Sequence, residues 1–303
     1  MNLFEIRETV TESLATSNGW MAHSSYAILM GKARELMAVE LWPGFKENAA
    51  LMISRQKNTD NGFTLLTHKA VYRMIKPFFV DDEVIVSLNV SSVNHLSFTL
   101  FAEFINSVNQ EVCATGTMSI VYASLDGRPR RLPEDIREIL LSVCVPTEKK
   151  DLFETTKEVN GDHNVVFELK ETITFHLTNA EGTLTHTQYP VLLSKAAEMM
   201  FVKKWSDFRQ DAKRFGEGRT DFGISTLFAR RTSYVYKKPF YFADEVLVKI
   251  RVVDSNSSTI TIFVEFTNHT TGDVHADGVM EIVYANSNGE LAEIPSALIL
   301  AIS

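Results

Sequence analysis

Cysteine is almost missing from this chain: two in 303 residues, Cys113 and Cys144. Two thiols without framework spacing exclude a disulfide scaffold and suit a reducing compartment, where both are expected to be buried or inert. Long apolar runs are missing as well, and none approaches the ~18 residues of a membrane span. The opening stretch Met1 to Glu8 has neither a basic nor an apolar segment, so no signal peptide is expected. The expectation is a cytoplasmic protein that does not bind membrane. Positive charge is scarce too: 30 Lys and Arg against 38 Asp and Glu give a formal net charge of -8, which argues against nucleic acid as the main partner. The remaining composition is that of an ordinary globular chain, long enough for two domains that each bury a core.

What the chain does have is a repeat. Gly19, His23, Tyr26, Lys32 and Glu35 recur as Gly182, His186, Tyr189, Lys195 and Glu198, each 163 positions on. The stretch from Leu3 to Thr11 matches Val166 to Thr174 at the same offset. Further along, Lys76 and Pro77 match Lys238 and Pro239, Asp82 matches Asp244, and Phe101 and Phe104 match Phe263 and Phe266. Ile120 to Ala123 match Ile282 to Ala285, and Pro133 matches Pro295; here the offset is 162, so a connection after Met37 differs by one residue. The halves are set at 1–143 and 165–303, with the polar stretch 144–164 as a linker.

Within the first half, residues 3–12 alternate as a strand. Ser17, Asn18 and Gly19 form a turn. From about Ser24 the apolar residues Tyr26, Leu29, Met30, Ala33 and Met37 recur at helical spacing, with Ser24 or Ser25 as N-cap. Pro43 and Gly44 end that helix, and 45–62 is a polar connection. Strands follow over 65–75, 83–93, 97–106 and 113–124, then a short helix over 133–143. The second half repeats this order; its helix starts at Thr187 and holds Pro190 in the first turn, where proline is tolerated. A long helix of few charges with an antiparallel sheet is an α+β domain in which the sheet wraps the helix. Two copies are expected to pack as a pseudo-twofold pair within the chain.

This order, with Gly-x3-His-x2-Tyr ahead of the helix, resembles the hotdog fold of acyl-thioester hydrolases, here as a double hotdog with two antiparallel sheets. It resembles the 4-hydroxybenzoyl-CoA thioesterase branch, and Gly31 to Leu36 is similar to the thioesterases of enediyne polyketide pathways, which lack an acidic catalytic residue. The family's Asp would fall three residues before the glycine, where this chain has Thr16 and Asn179. An Asp-dependent mechanism is therefore not expected. The arginine is also unequal: Arg34 in the first half, Ala197 in the second.

The resemblance implies an acyl-CoA or acyl-carrier-protein substrate and no cofactor or metal. Thioester hydrolysis needs donors for an oxyanion, an oriented water and a pocket that excludes solvent; a helix N-terminus supplies such donors. The candidates are Tyr26 to donate to the carbonyl, Arg34 to hold charge, Asn179 to orient water, and His23 and His186 for proton transfer. Tyr189 is the second-half counterpart of Tyr26. One main site around Tyr26 and Arg34 is expected. Each candidate also has a structural reading: buried tyrosines capping an interface, hydrogen-bonded histidines, an arginine paired at the seam. Gly19 and Gly182 serve the turns. Glu35 and Glu198, beside Lys32 and Lys195, are expected to form a repeated ion-pair device. Residues 203–231 hold an excess of basic side chains, including Lys203, Lys204, Arg230 and Arg231, a candidate dock for CoA phosphates or an acidic carrier protein. Other readings are acyl transfer, decarboxylation or dehydration on such substrates, or a thioester-binding protein without turnover. Further homo-oligomerisation stays open.

Overall fold

The computed structural model describes residues 4–16, 19–42, 44–45, 63–124, 127–146, 164–179, 182–205, 225–286 and 290–302. The first half runs β1 (Phe4–Thr9), a 3-10 turn (Glu12–Leu14), α1 (His23–Leu41), β2 (Phe63–Met74), β3 (Glu83–Val93), β4 (Ser97–Asn106), β5 (Val112–Ser124) and α2 (Glu134–Ser142). The second half repeats it: β6 (Val165–Thr172), a 3-10 turn (Phe175–Leu177), α3 (Gln188–Lys204), β7 (Ser225–Tyr236), β8 (Glu245–Ser255), β9 (Thr259–Asn268) and β10 (Val274–Asn286). A two-residue β11 (Leu291–Ala292) and α4 (Ser296–Ile302) close it.

Where two sheets were expected, the strands form one, in the order β1-β3-β4-β5-β2-β7-β10-β9-β8-β6, with β11 on β10. The join is the antiparallel pair β2–β7, which removes two edges that would otherwise present unpaired backbone. Its register places Val71 opposite Ser233, which are equivalent positions of the repeat, 162 apart. The seam therefore maps onto itself under a half-turn, and α1 and α3 pack against each other beneath it.

Both central helices bury a broad apolar face against the sheet and each other, and leave a narrow exposed face that carries Lys32, Glu35 and Glu40 on α1 and Lys195 and Glu198 on α3. Tyr26, Leu29, Met30, Ala33 and Met37 of α1 are buried, as are Tyr189, Leu192, Leu193, Ala196 and Met200 of α3. The repeat extends to ring geometry. Tyr26 meets Phe104 edge-on at 5.1 Å and Phe78 at 6.4 Å; Tyr189 meets Phe266 edge-on at 5.1 Å and Phe240 at 6.3 Å.

Several local details differ from expectation. The N-cap of α1 is Ala22, and no side chain caps it; Ser25 lies inside the first turn and donates instead to Leu14 O at 2.7 Å. Lys32 and Lys195 do not pair with Glu35 and Glu198. They reach back to Glu8 on β1 and Glu171 on β6, so the repeated ion pair ties each helix to its outer strand. Gly19 and Gly182 have φ of 78° and 77°, and nothing lies within 4 Å of a Cβ at either, so backbone conformation alone selects glycine. Of the expected linker, Val145 still donates to Val90 O at 2.8 Å; residues 147–163 lie outside the described residues, as do residues 46–62 of the expected polar connection. No helix among the described residues is long and apolar enough to cross a membrane.

Candidate functional site

The two helices meet N-terminus against mid-helix, and the repeat makes each meeting the counterpart of the other. His23, the first residue of α1, faces Ser194 of α3, with ring nitrogens 3.2 and 3.4 Å from its hydroxyl. His186, just before α3, faces the position equivalent to Ser194, which is Gly31. A Cβ on Gly31 would stand 3.4 Å from His186 Nε2 and 3.0 Å from Thr187 Cγ2. Glycine thus lets the loop before α3 close onto α1, and leaves His186 Nε2 buried without a hydrogen-bond partner. Burial pulls the His23 imidazole down to about 4. It holds His186 well below its ordinary value, with the nearby Arg34 cation acting in the same direction.

Arg34 lies almost a full turn beyond Gly31 on α1. The residue is 8% exposed, and its guanidinium donates to Thr67 Oγ1 at 3.0 Å and to Glu35 Oε1 at 3.2 Å, with Met118 Sδ at 4.0 Å. Burial lowers its pKa, and Glu35, Tyr72 and Tyr236 oppose that. Strand geometry delivers Thr67. Tyr72 and Ala70 are buried on alternate positions of β2, and a bulge between Thr67 and Lys69 resets the alternation so that Thr67 reaches Arg34.

From β7, Tyr236 donates its hydroxyl to His186 O at 3.3 Å and lies edge-on to the imidazole at 6.5 Å. Tyr72 has a buried hydroxyl with no partner, and burial raises its pKa while Arg34 opposes. The seam therefore gathers His186, Arg34, Tyr236, Tyr72 and Thr67 from both halves. The counterpart place has Ala197 for Arg34, Met74 for Tyr236 and Ala229 for Thr67, so the cationic cluster exists once.

The other candidates lie elsewhere. Tyr26 does not join Arg34: eight residues apart on α1, they are separated by about 12 Å along the axis. Its hydroxyl is buried without a partner in the first-half core, near Cys113. Tyr189 is likewise a core residue, with a backbone hydrogen bond at Phe240. Asn179 closes the turn before α3; its Oδ1 accepts from Thr183 N and Thr183 Oγ1, both at 3.0 Å. Thr16 serves the equivalent turn, donating to Trp20 O at 3.1 Å. Glu35 is a surface carboxylate that steadies Arg34, and desolvation raises the Glu198 carboxyl.

The expected docking residues split into two places. Lys203 and Lys204 end α3, with Lys203 over the Phe167 ring at 6.0 Å. Arg230 pairs with Glu281 at 3.4 Å on β7, and Arg231 stands opposite Arg73 across the seam. Residues 206–224 between them lie outside the described residues.

Sequence reading missed Tyr236, Tyr72, Thr67 and Gly31 as members of the site. The signal for two of them was present in the repeat alignment, where Tyr236 replaces Met74 and Gly31 replaces Ser194.

The class defined by this architecture is the two-repeat hotdog protein. Residues 15–140 and 173–302 match the thioesterase-like superfamily, and the chain belongs to that family. Among solved structures it is similar to a 12:0-ACP thioesterase from Umbellularia californica (TM-score 0.72, 9% identity, 93% of this chain and 94% of that one). It is similar to a putative oleoyl thioesterase from Lactobacillus plantarum (TM-score 0.69, 9% identity, 92% and 95%). An acyl-ACP thioesterase from Bacteroides thetaiotaomicron matches with TM-score 0.64, 14% identity, 92% and 96% coverage. At these identities the likeness is one of fold. A comparison with curated proteins gave no match.

Proposed function

We propose that the chain hydrolyses an acyl thioester, carried on CoA or on an acyl carrier protein, at the place on the seam where His186 meets Arg34. Membership of the thioesterase-like superfamily supports the reaction class. The observation that carries the site is the meeting of His186, with its unpartnered Nε2, and Arg34, a buried guanidinium from the other half. A buried cation beside the thioester carbonyl stabilises the oxyanion that forms when water adds. Neutral His186 Nε2 accepts the proton of that water and returns it to the departing thiolate, giving acid and thiol. Glu35 and Thr67 fix the guanidinium, and the Tyr236 hydroxyl fixes the His186 main chain.

This route uses no carboxylate nucleophile, in keeping with Thr16 and Asn179 at the two places where the Asp of the resembled family would fall. The similarity of Gly31 to Leu36 to polyketide thioesterases extends the proposal to acyl groups of polyketide or fatty-acid synthesis. Cys113 and Cys144 are both free thiols, which fits a reducing, cytoplasmic setting.

The test is free-thiol release from acyl-CoA and acyl-carrier-protein thioesters of graded length, with mass spectrometry of the acyl product. Release of thiol with the intact acid supports hydrolysis. A moved or shortened acyl group would replace it with transfer or decarboxylation, and retention of unchanged thioester would make the protein a binder.

A further inference from the structure

Each outer strand turns towards its central helix at one end of the sheet, and the two ends share a backbone but not a surface. In the second half the 3-10 turn after β6 and the connection from β7 to β8 lie side by side. Ala243 N donates to Ile173 O at 2.8 Å, and Phe242 N to Gly182 O at 2.9 Å. These segments carry Phe175, Tyr241 and Phe242, which are 64%, 55% and 46% exposed. The rings of Phe175 and Phe242 stack at 4.1 Å, 25° from parallel.

The first half has Glu12, Phe79 and Val80 at the equivalent positions, and Asp81 where the second has Ala243. Phe79 is met edge-on by Trp20 at 6.3 Å; Thr183 takes the place of Trp20 beside Tyr241. Two carboxylates of the first half are thus a ring and a methyl in the second. Asp81 and Ala243 have φ of 73° and 70°, a conformation that Asp tolerates better than Ala, so backbone preference does not select the alanine. Asp244 and Glu171, which both halves carry, are engaged: Asp244 Oδ2 accepts from Tyr241 N at 2.8 Å, and Glu171 pairs with Lys195.

Three half-exposed aromatic side chains present roughly 300 Å². That is well under the ~800 Å² that one partner buries in a stable protein complex, and it fits a single flat ring system. The place of the patch narrows which ring. Thr185 N donates to Leu177 O at 3.2 Å, so the turn that carries Phe175 is tied to the residue before His186. Steps of ~3.8 Å between Cα atoms, taken through that bond, put the backbones of Phe175 and His186 within about 17 Å of each other. An extended pantetheine arm covers that span.

We propose that the Phe175–Phe242 pair seats the adenine of CoA, with the thioester end of the same molecule at Arg34 and His186. This rests on the thioester reading and narrows its carrier to CoA. The purine lies flat on the exposed face of the stack, bordered by Tyr241. Phe175 and Ala243 spare the nucleotide phosphates the two carboxylates that Glu12 and Asp81 would set against them.

The experiment compares thiol release from decanoyl-CoA with that from decanoyl-pantetheine, which keeps the arm and the thioester but has no nucleotide. Calorimetry reads binding of phosphoadenosine diphosphate, the nucleotide of CoA, without turnover. Phe175→Leu removes the ring plane and keeps an apolar side chain; Phe175→Glu and Phe242→Val install what the first half carries. Each is expected to lower the decanoyl-CoA to decanoyl-pantetheine ratio of kcat/KM about tenfold, the scale of one base–aromatic stack, and to weaken nucleotide binding by a similar factor. An unchanged ratio in Phe175→Leu and Phe242→Val, with thiol still released from both esters, would overturn the adenine site and leave hydrolysis standing. Nucleotide binding weakened in the variants, with no thiol released from either ester by the parent, would keep the site and remove hydrolysis. Loss of a dimer in solution, or of turnover on acyl-carrier-protein thioesters, at an unchanged CoA ratio would give the patch to another occupant and overturn the proposal.

Discussion

His23 and His186 occupy the same place in the two repeats and have opposite hydrogen-bonding fates. His23 is answered by the Ser194 hydroxyl at 3.2 Å, while His186 faces Gly31 and keeps a buried Nε2 without a partner. One histidine is thereby made structural and the other left with an open nitrogen beside Arg34.

Converting Gly31 to Ser copies the Ser194 environment onto His186. The Cβ would lie 3.0 Å from Thr187 Cγ2, so the loop must give slightly, and the new hydroxyl would engage Nε2. Gly31→Ser is expected to cut turnover at least about tenfold, the lower range for loss of a positioned proton acceptor, with the circular dichroism spectrum retained.

Arg34→Ala is expected to lower kcat by about a hundredfold or more, the usual effect of removing an oxyanion donor. The fold should tolerate it, because the second half already carries Ala197 at the equivalent position. Thermal unfolding and thiol release measured on the same sample check both parts. Arg34→Lys should recover turnover only in part, since a single ammonium does not reproduce the fork held by Thr67 and Glu35.

Tyr26→Phe removes a buried hydroxyl that has no partner, so stability should stay level or rise and turnover should be unchanged. Tyr189→Phe removes a hydroxyl with a backbone hydrogen bond at Phe240 and should cost about 1 kcal/mol. Chemical denaturation of the two variants side by side checks the contrast.

His23 and His186 are neutral in the fold and protonate more readily when the chain unfolds. Their contribution to stability is therefore complete above pH ~6.5 and is lost as the pH falls towards the folded-state value of about 4 for His23. Unfolding midpoints measured from pH 7 to pH 4 should fall, and His23→Gln should make the fall shallower. A variant slope equal to that of the parent would remove His23 from this account.

The repeat made the fold legible: matched tyrosines, glycines and lysines gave two equal halves and their element order. It also pointed to Arg34 and His186. What it did not give was which side chains meet across the seam. Tyr236, Tyr72 and Thr67 reach Arg34 and His186 through the β2–β7 register and a bulge, and neither can be read from spacing within one strand. Tyr26 misled because it shares the His-x-x-Tyr motif with His23, yet it turns from the seam into its own core, between Phe78 and Phe104. Lys32 misled for a similar reason. Its neighbour in sequence, Glu35, is within reach on the helix, but Glu8 on β1 takes the pair.

The most direct test of a single seam site is thiol release from decanoyl-CoA by the parent protein and by His186→Gln, His23→Gln and Arg34→Ala. The account predicts that the His186 and Arg34 variants each fall by about a hundredfold while the His23 variant stays within about threefold of the parent. Equal losses from His23 and His186, or an Arg34→Ala variant as fast as the parent, would contradict it.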